Sequence, residues 1–195
     1  MYNTRNSFLL MRTRTFVSEE AKEMLIRHIS MEQHAGNLYL NIASYFDSKS
    51  LKNTYKFFYQ QHKEKIDVAE KIYRYLLTAG VRVKPIGVAA TELDQESTLP
   101  IVDQYAQTER NLTDDLRKIC DKLLDDSDHT SYNYILKVVG HQLIEEDEGE
   151  TIKKNYHIAP SEILADHQVP DLFPHIFKED DDDDDDDKQG DNYGL

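Results

Sequence analysis

Apolar positions recur at alternating steps of three and four over four long segments, the pattern of helices that each bury one face. In the first segment the stripe is Leu25, Ile29, Glu32, Gly36, Tyr39, Ala43 and Phe46. In the second, which has neither Pro nor Gly between residues 51 and 79, it is Leu51, Tyr55, Phe58, His62, Lys65, Ala69, Ile72 and Leu76. The third runs Val102, Tyr105, Glu109, Leu112, Leu116, Ile119 and Leu123, and the fourth Ser131, Ile135, Val138, Gln142, Glu145, Gly149, Ile152 and Tyr156. Every stripe is polar near its middle, at Glu32, at His62 and Lys65, at Glu109, and at Gln142 and Glu145.

The segment ends carry their own signals. Ser18-Glu19-Glu20 offers a capping serine and then acids near the positive end of the dipole, so a helix is expected from there to about residue 46. A turn at 47–50 is short enough to make the next helix, about 50 to 79, antiparallel to the first. Gly80 ends it. The stretch from 81 to about 98 is too long for a tight turn and can cross the length of a bundle, leaving the second and third helices parallel. Ser97 or Thr98 can cap the third helix, with Pro100 tolerated in its first turn. After a turn at 125–128 the fourth helix is expected over about 129–156. Ala159-Pro160-Ser161-Glu162 can start a short fifth helix that Pro170 is expected to end, and Leu172, Phe173, Ile176 and Phe177 form an apolar patch that should dock. The prediction is an all-α four-helix bundle over residues 18–178, with a long crossover between helices 2 and 3.

Composition adds two flanking segments. The 195 residues suit one domain with a sizeable core. The net charge of −14 is concentrated in nine consecutive acids at 179–187. Like charges without apolar residues predict a disordered acidic tail over 179–195. That tail reads as a solubilising brush, a cation-concentrating surface or a lure for a basic partner. Residues 1–17 hold Arg5, Arg12 and Arg14 and no acid, which reads as a flexible N-terminal arm or a short organelle presequence. With 23 Lys and Arg against 37 Asp and Glu, no nucleic acid is expected as a partner. Cys120 is alone, so a reducing, cytoplasmic setting is natural. No apolar run approaches the roughly 20 residues of a membrane span.

Ionised groups are buried only when paired or metal-bound, so interruptions at one level of four helices should face one another. One ammonium among three carboxylates leaves a residual negative charge that suits one divalent ion and is low for two. Hard oxygen donors favour iron, manganese, magnesium or calcium. An interior network of hydrogen-bonded polar residues is the other reading. Asp125, Asp126 and Asp128 are weak candidates for an ion route, since acids in a turn are usually just solvated.

At these residues the chain resembles the ferritins. The likeness covers about residues 18–156 and rests on Met31-Glu32-Gln33 with Leu38-Tyr39, on Phe57-Phe58 through His62 to Ala69-Glu70-Lys71, on Thr108-Glu109-Arg110, and on Gln142-x-x-Glu145-Glu146. The Gln-x-x-Glu of the fourth helix is closer to bacterial than to animal members. The resemblance implies iron stored as a ferric mineral in a hollow shell of twenty-four copies, with a companion subunit in mixed shells. It also implies an iron-oxidising centre built from a first-helix Glu, a second-helix Glu-x-x-His, a third-helix Glu and a fourth-helix Gln. Glu32, Glu109 and Gln142 match those positions, Tyr39 matches the tyrosine beside the centre, and Glu145 matches the extra carboxylate of bacterial members.

The second helix departs from that pattern. Lys65 stands where the bridging Glu belongs and Val68 where the His belongs. Lysine brings a positive charge with no lone pair unless deprotonated, and valine cannot ligate. Lys65 is therefore expected to form a buried ion pair with Glu109, Glu32 or both, in the volume a metal would fill. Animal light-chain ferritins, which carry a lysine there, look like the better functional analogue. Glu64 and Asp67, three apart on the same helix, read equally as a solvated face or, on the resemblance, as acids that face the hollow interior and help start the mineral. The expected function is an iron-storing subunit with a lost or impaired oxidising centre. A ferroxidase working through a rearranged set (Glu32, Glu109, Glu145, with Glu64 or His62) and a purely structural shell are the alternatives.

Overall fold

A computed structural model describes residues 17–84, 86–88, 93 and 97–178. The acidic tail and the arm up to residue 16 lie outside these. Six helices follow one another: α1 (Glu19–Ser48), α2 (Lys52–Thr78), α3 (Thr98–Asp125), α4 (His129–Ile158), α5 (Glu162–Leu172) and α6 (Pro174–Phe177). No strand occurs among the described residues.

The caps show how local chemistry sets these limits. Ser18 Oγ accepts from Ala21 N at 3.2 Å and donates to Asp126 at 2.5 Å, so the start of α1 is tied to the α3–α4 turn. Asp128 caps α4 by accepting from Ser131 N at 3.0 Å. Asp126 and Asp128 therefore serve helix ends. The start of α3 differs from expectation: Ser97 makes no capping bond. The hydroxyl of Thr98 is used by α5 instead, donating to Glu162.

Two apolar cores fix the helix directions. The upper one joins Ala35–Phe46 of α1 to Phe57 and Phe58 of α2, Ile101 and Tyr105 of α3, and Ile152 and Tyr156 of α4. The lower one joins Ala21, Leu25 and Ile29 to Ala69, Ile72 and Leu76, with Leu116, Ile119 and Leu123 and with Ile135. The early part of α2 thus meets the early part of α3, and the late parts meet below. Helices α2 and α3 run parallel, as the long crossover requires, while α1–α2 and α3–α4 are antiparallel pairs. Val17 is buried in the lower core. The backbones of α1 and α2 come close at Gly36, where an added Cβ would meet Ile66 at 3.0 Å. The approach lets His62 Nδ1 reach Gly36 O at 2.8 Å.

Helix α5 folds back onto α2 and α4. It continues past Pro170 to Leu172, further than expected. A proline at this position deprives the carbonyl four residues earlier of its N–H partner. That carbonyl belongs to Asp166, and Asn53 Nδ2 donates to it at 3.2 Å. The external donor satisfies the orphaned acceptor, so the helix persists for two more residues. Phe173 then packs on Phe57 with ring centroids 4.5 Å apart.

Candidate metal centre

The polar level lies between the two cores. Glu32, Lys65 and Glu109 have no exposed surface, and Gln142 and Glu145 are almost fully buried. Each is the interruption of a stripe whose apolar ends are fixed by packing, so helix register alone brings four of the five within reach of the fifth.

Lys65 stands at the middle. Its Nζ lies 2.8 Å from Glu109 Oε2, 2.5 Å from Glu145 Oε2 and 3.2 Å from Gln142 Oε1. An ammonium has three protons to donate, and these three acceptors use them all. Glu32 Oε2 is further away, at 3.9 Å, held by charge only. Lys65 therefore pairs with Glu109 as expected, and with Glu145 more closely than with Glu32. Glu109 accepts on both oxygens. Its Oε1 accepts from the Tyr39 hydroxyl at 2.6 Å, and its Oε2 also accepts from Gln142 Nε2 at 2.6 Å.

Electrostatics follow from burial and count. Burial opposes charge on Lys65, but Glu109, Glu32 and Glu145 outweigh it and hold the ammonium well above the ordinary lysine range. Burial raises Glu145, against the pull of Lys65 and with repulsion from Glu109. Burial also opposes charge on Glu32, yet Lys65 and then His28 hold it below the usual carboxylate range. Tyr39 is raised by burial and by the Glu109 charge, so it remains a phenol and donates.

His28 is a member that the interrupted stripes did not flag. It is fully buried, with Nε2 3.0 Å from Glu32 Oε1 and Nδ1 2.9 Å from Asp115 Oδ2. Arg27 pairs with the same Asp115. The Glu32 contact is close enough for charge pairing but off the axis of a formed hydrogen bond, and neither Glu32 oxygen has a hydrogen-bond partner among the described residues. Burial works against charge on His28, and the bond with Asp115 and the close contact with Glu32 prevail to raise it. The available signal was spacing, since His28 precedes Glu32 by one helical turn.

The remaining candidates lie around this centre. Val68 is partly buried against the lower core. Glu64 accepts from Gln60 Nε2 at 2.9 Å and Gln61 Nε2 at 3.3 Å, while Asp67 is exposed and pairs with Lys71 at 2.5 Å. Both acids line a groove between α2 and α4 of about 510 Å³, with Glu145, Glu148 and His141. Glu148 was also missed. Gln61 bonds it at 3.0 Å and His175 of α6 approaches at 3.1 Å. Burial, then the charges of Glu64 and Glu145, push its carboxyl up to about 7. Among the described residues, no group of three or more His, Cys, Asp or Glu side chains is arranged to hold a metal ion.

A family model described as a ferritin-like domain matches residues 22–156. The chain belongs to this ferritin family. Among curated ferritins it is 26% identical to the bacterial non-heme ferritin of Campylobacter jejuni over 130 residues, 67% of this chain and 78% of that protein. It is 22% identical to a probable bacterial non-heme ferritin-like protein of Haemophilus influenzae, over 67% of this chain and 79% of the relative. Of solved ferritins, the open-pore ferritin of the archaeon Archaeoglobus fulgidus superposes with a TM-score of 0.74 at 26% identity, covering 78% of this chain and 96% of that one. A humanized archaeal ferritin gives 0.74 at 25% identity, covering 78% and 96%. The bundle and its short C-terminal helix are thus those of a ferritin subunit. No helix among the described residues is long and apolar enough to cross a membrane.

Proposed function

We propose that this ferritin is an iron-storing subunit of a hollow shell and that its own iron-oxidising centre is lost. The observation that carries the loss is the Lys65 ammonium, whose three donors occupy Glu109, Glu145 and Gln142 where the family's metal pair would draw on the same groups. A bridging carboxylate adds negative charge between two cations, and an ammonium at that place repels both. Iron is the cargo here, collected as ferric mineral, and self-assembly into the family's twenty-four-copy shell supplies the space. Oxidation then falls to a companion subunit or to slow reaction with oxygen at the mineral surface. Glu64 and Asp67, on the groove between α2 and α4, are the acids proposed to start the mineral.

Stopped-flow mixing of the purified assembly with ferrous iron in air tests the loss. The expected trace lacks a rapid oxidation phase while iron still accumulates over longer times. A rapid phase saturating at two irons per chain would restore the ferroxidase reading. Replacing Glu64 and Asp67 together by Ala should slow core growth with assembly unchanged.

A further inference from the structure

We infer that the acidic run at residues 179–187 docks on its own subunit, along an exposed stripe of α2 whose cations are Lys56 and Lys63. Helix period makes the stripe: Lys52, Lys56, Tyr59 and Lys63 follow one another at steps of four, three and four, and all four are exposed. The other cations of α2 have carboxylate partners. Lys52 meets Asp47, Lys65 meets Glu109 and Glu145, Lys71 meets Asp67, and Arg74 meets Glu70. Lys56 and Lys63 pair with no carboxylate among the described residues, and each faces an aromatic ring. Lys56 Nζ lies 6.0 Å from the Phe177 centroid, and Lys63 Nζ 4.9 Å from that of Tyr59. A ring face attracts an ammonium but leaves its charge uncompensated. The chain itself brings acids to this place. Phe173 packs on Phe57, and Ile176 and Phe177 rest on the upper core, so α6 delivers the backbone to the first half of α2 with the Phe177 ring beside Lys56. Glu179 follows two positions later and opens nine consecutive acids. From Lys56 to Lys63 the helix rises about 10 Å, which about four extended residues cover, so the run is long enough to meet both lysines. Each exposed pair is weak alone, but a tether this short keeps the local carboxylate concentration high. The docked stretch ends at Lys63, because the acids beyond it are engaged elsewhere: Glu64 lines the groove with α4 and Asp67 belongs to Lys71. Docking of this kind requires neither iron nor any property of the polar centre.

Zero-length carbodiimide coupling of the full-length protein tests this, since it joins a carboxylate to a lysine only where the two meet. The protein is prepared as a mixture of isotope-labelled and unlabelled subunits, and links are mapped by mass spectrometry through the tryptic peptide 179–188, which carries the whole run. Those links should fall on Lys56 and Lys63 of the same subunit about fivefold more often than on Lys118 of α3 or Lys154 of α4, which are also exposed, and the excess should vanish at molar salt. Lys56→Gln with Lys63→Gln should move the links to Lys118, Lys154 and other exposed lysines. Lys56→Arg with Lys63→Arg keeps both charges but cannot be coupled. It should hold the run in place and leave the other lysines as sparsely linked as in the native protein. Links spread evenly over the exposed lysines would overturn the inference, as would a Gln pair that leaves the yield at Lys118 and Lys154 unchanged or an Arg pair that behaves like the Gln pair. Links joining labelled to unlabelled subunits would overturn it too, by placing the run on a neighbouring copy.

Discussion

Two buried carboxylate sites in this subunit are stabilised by opposite means. At the polar centre, Glu109, Glu145 and Glu32 surround the full charge of Lys65. At the top of the bundle, Asp166 of α5 pairs with no cation among the described residues. Its Oδ1 accepts from the backbone N and the hydroxyl of Thr54, both at 2.8 Å. Thr54 is in the first turn of α2, and Leu51, which precedes that helix, has no side chain able to cap it. Asp166 is thus the missing cap of α2, delivered from another helix to the positive end of the dipole. Partial charges of oriented N–H and O–H groups suffice for one carboxylate; three at one point need an ion. The Asp166 cap contributes to folding, whereas the Lys65 cluster fills a polar cavity whose net stabilising value is small even though its members are mutually dependent.

Removing the ion should have the largest effect. Lys65→Met leaves three buried carboxylates without their cation and should cost about 3–5 kcal/mol. Adding Glu109→Gln and Glu145→Gln should recover most of that loss, because a buried pair replaced on both sides is often neutral. Guanidinium unfolding of the assembly measures both. If Lys65→Met alone proves as stable as the native protein, the contrast with Asp166 disappears. Asp166→Ala comes next, at about 1–2 kcal/mol for a lost cap and its bonds. Its effect should be local: hydrogen exchange should rise in α5 and the first turn of α2, with the polar centre unchanged.

The same contrast explains what was legible in the sequence. The polar centre was, because each member interrupts an otherwise apolar stripe and helical period puts interruptions of equal depth together. The ion pair of Lys65 with Glu109 followed from charge and burial. The preference for Glu145 over Glu32 did not, since it depends on which acceptors the three ammonium protons reach. His28 was hidden because it lies beside the stripe and not on it, and its role depends on Asp115 of α3, 87 positions away. The Asp166 cap was hidden for a similar reason. The second helix was expected from about residue 50, and only its start at Lys52 after Leu51 exposes the missing cap, which Asp166 supplies from 112 positions away. Pro170 was read as a helix end, and only the contact from Asn53 shows why α5 continues.

A titratable carboxyl between the two sites sharpens the comparison at lower amplitude. Among the described residues Glu148 bonds neither an ammonium nor a helix end, its polar neighbours being Gln61 and His175, and its carboxyl is pushed up to about 7, chiefly by burial. The folded state therefore holds this proton more tightly than the unfolded chain, where a glutamate titrates near its ordinary value. Between about pH 4.5 and 7 the native protein binds the extra proton, so the contribution is complete below that window and is lost as pH rises through it. Glu148→Gln should flatten the fall of stability across this range, measured by unfolding midpoints at stepped pH. An unchanged slope would show that Glu148 is solvated well enough to ionise freely.

The smallest expected effect is at the ion pair between α1 and α5, where Lys49 Nζ lies 3.0 Å from Glu162 with both side chains partly exposed. Water screens such a pair and both side chains lose freedom in making it, so Lys49→Met should cost no more than about 1 kcal/mol, less at high salt. It tests whether α5 is held by charge or by the Asp166 cap and its apolar contacts. Hydrogen exchange in α5 should respond to Asp166→Ala and hardly to Lys49→Met. Were Lys49→Met to release α5 as fully as Asp166→Ala, the helix would be anchored by a surface charge pair, and the distinction between a carboxylate that builds the fold and carboxylates that only fill it would lose its clearest case.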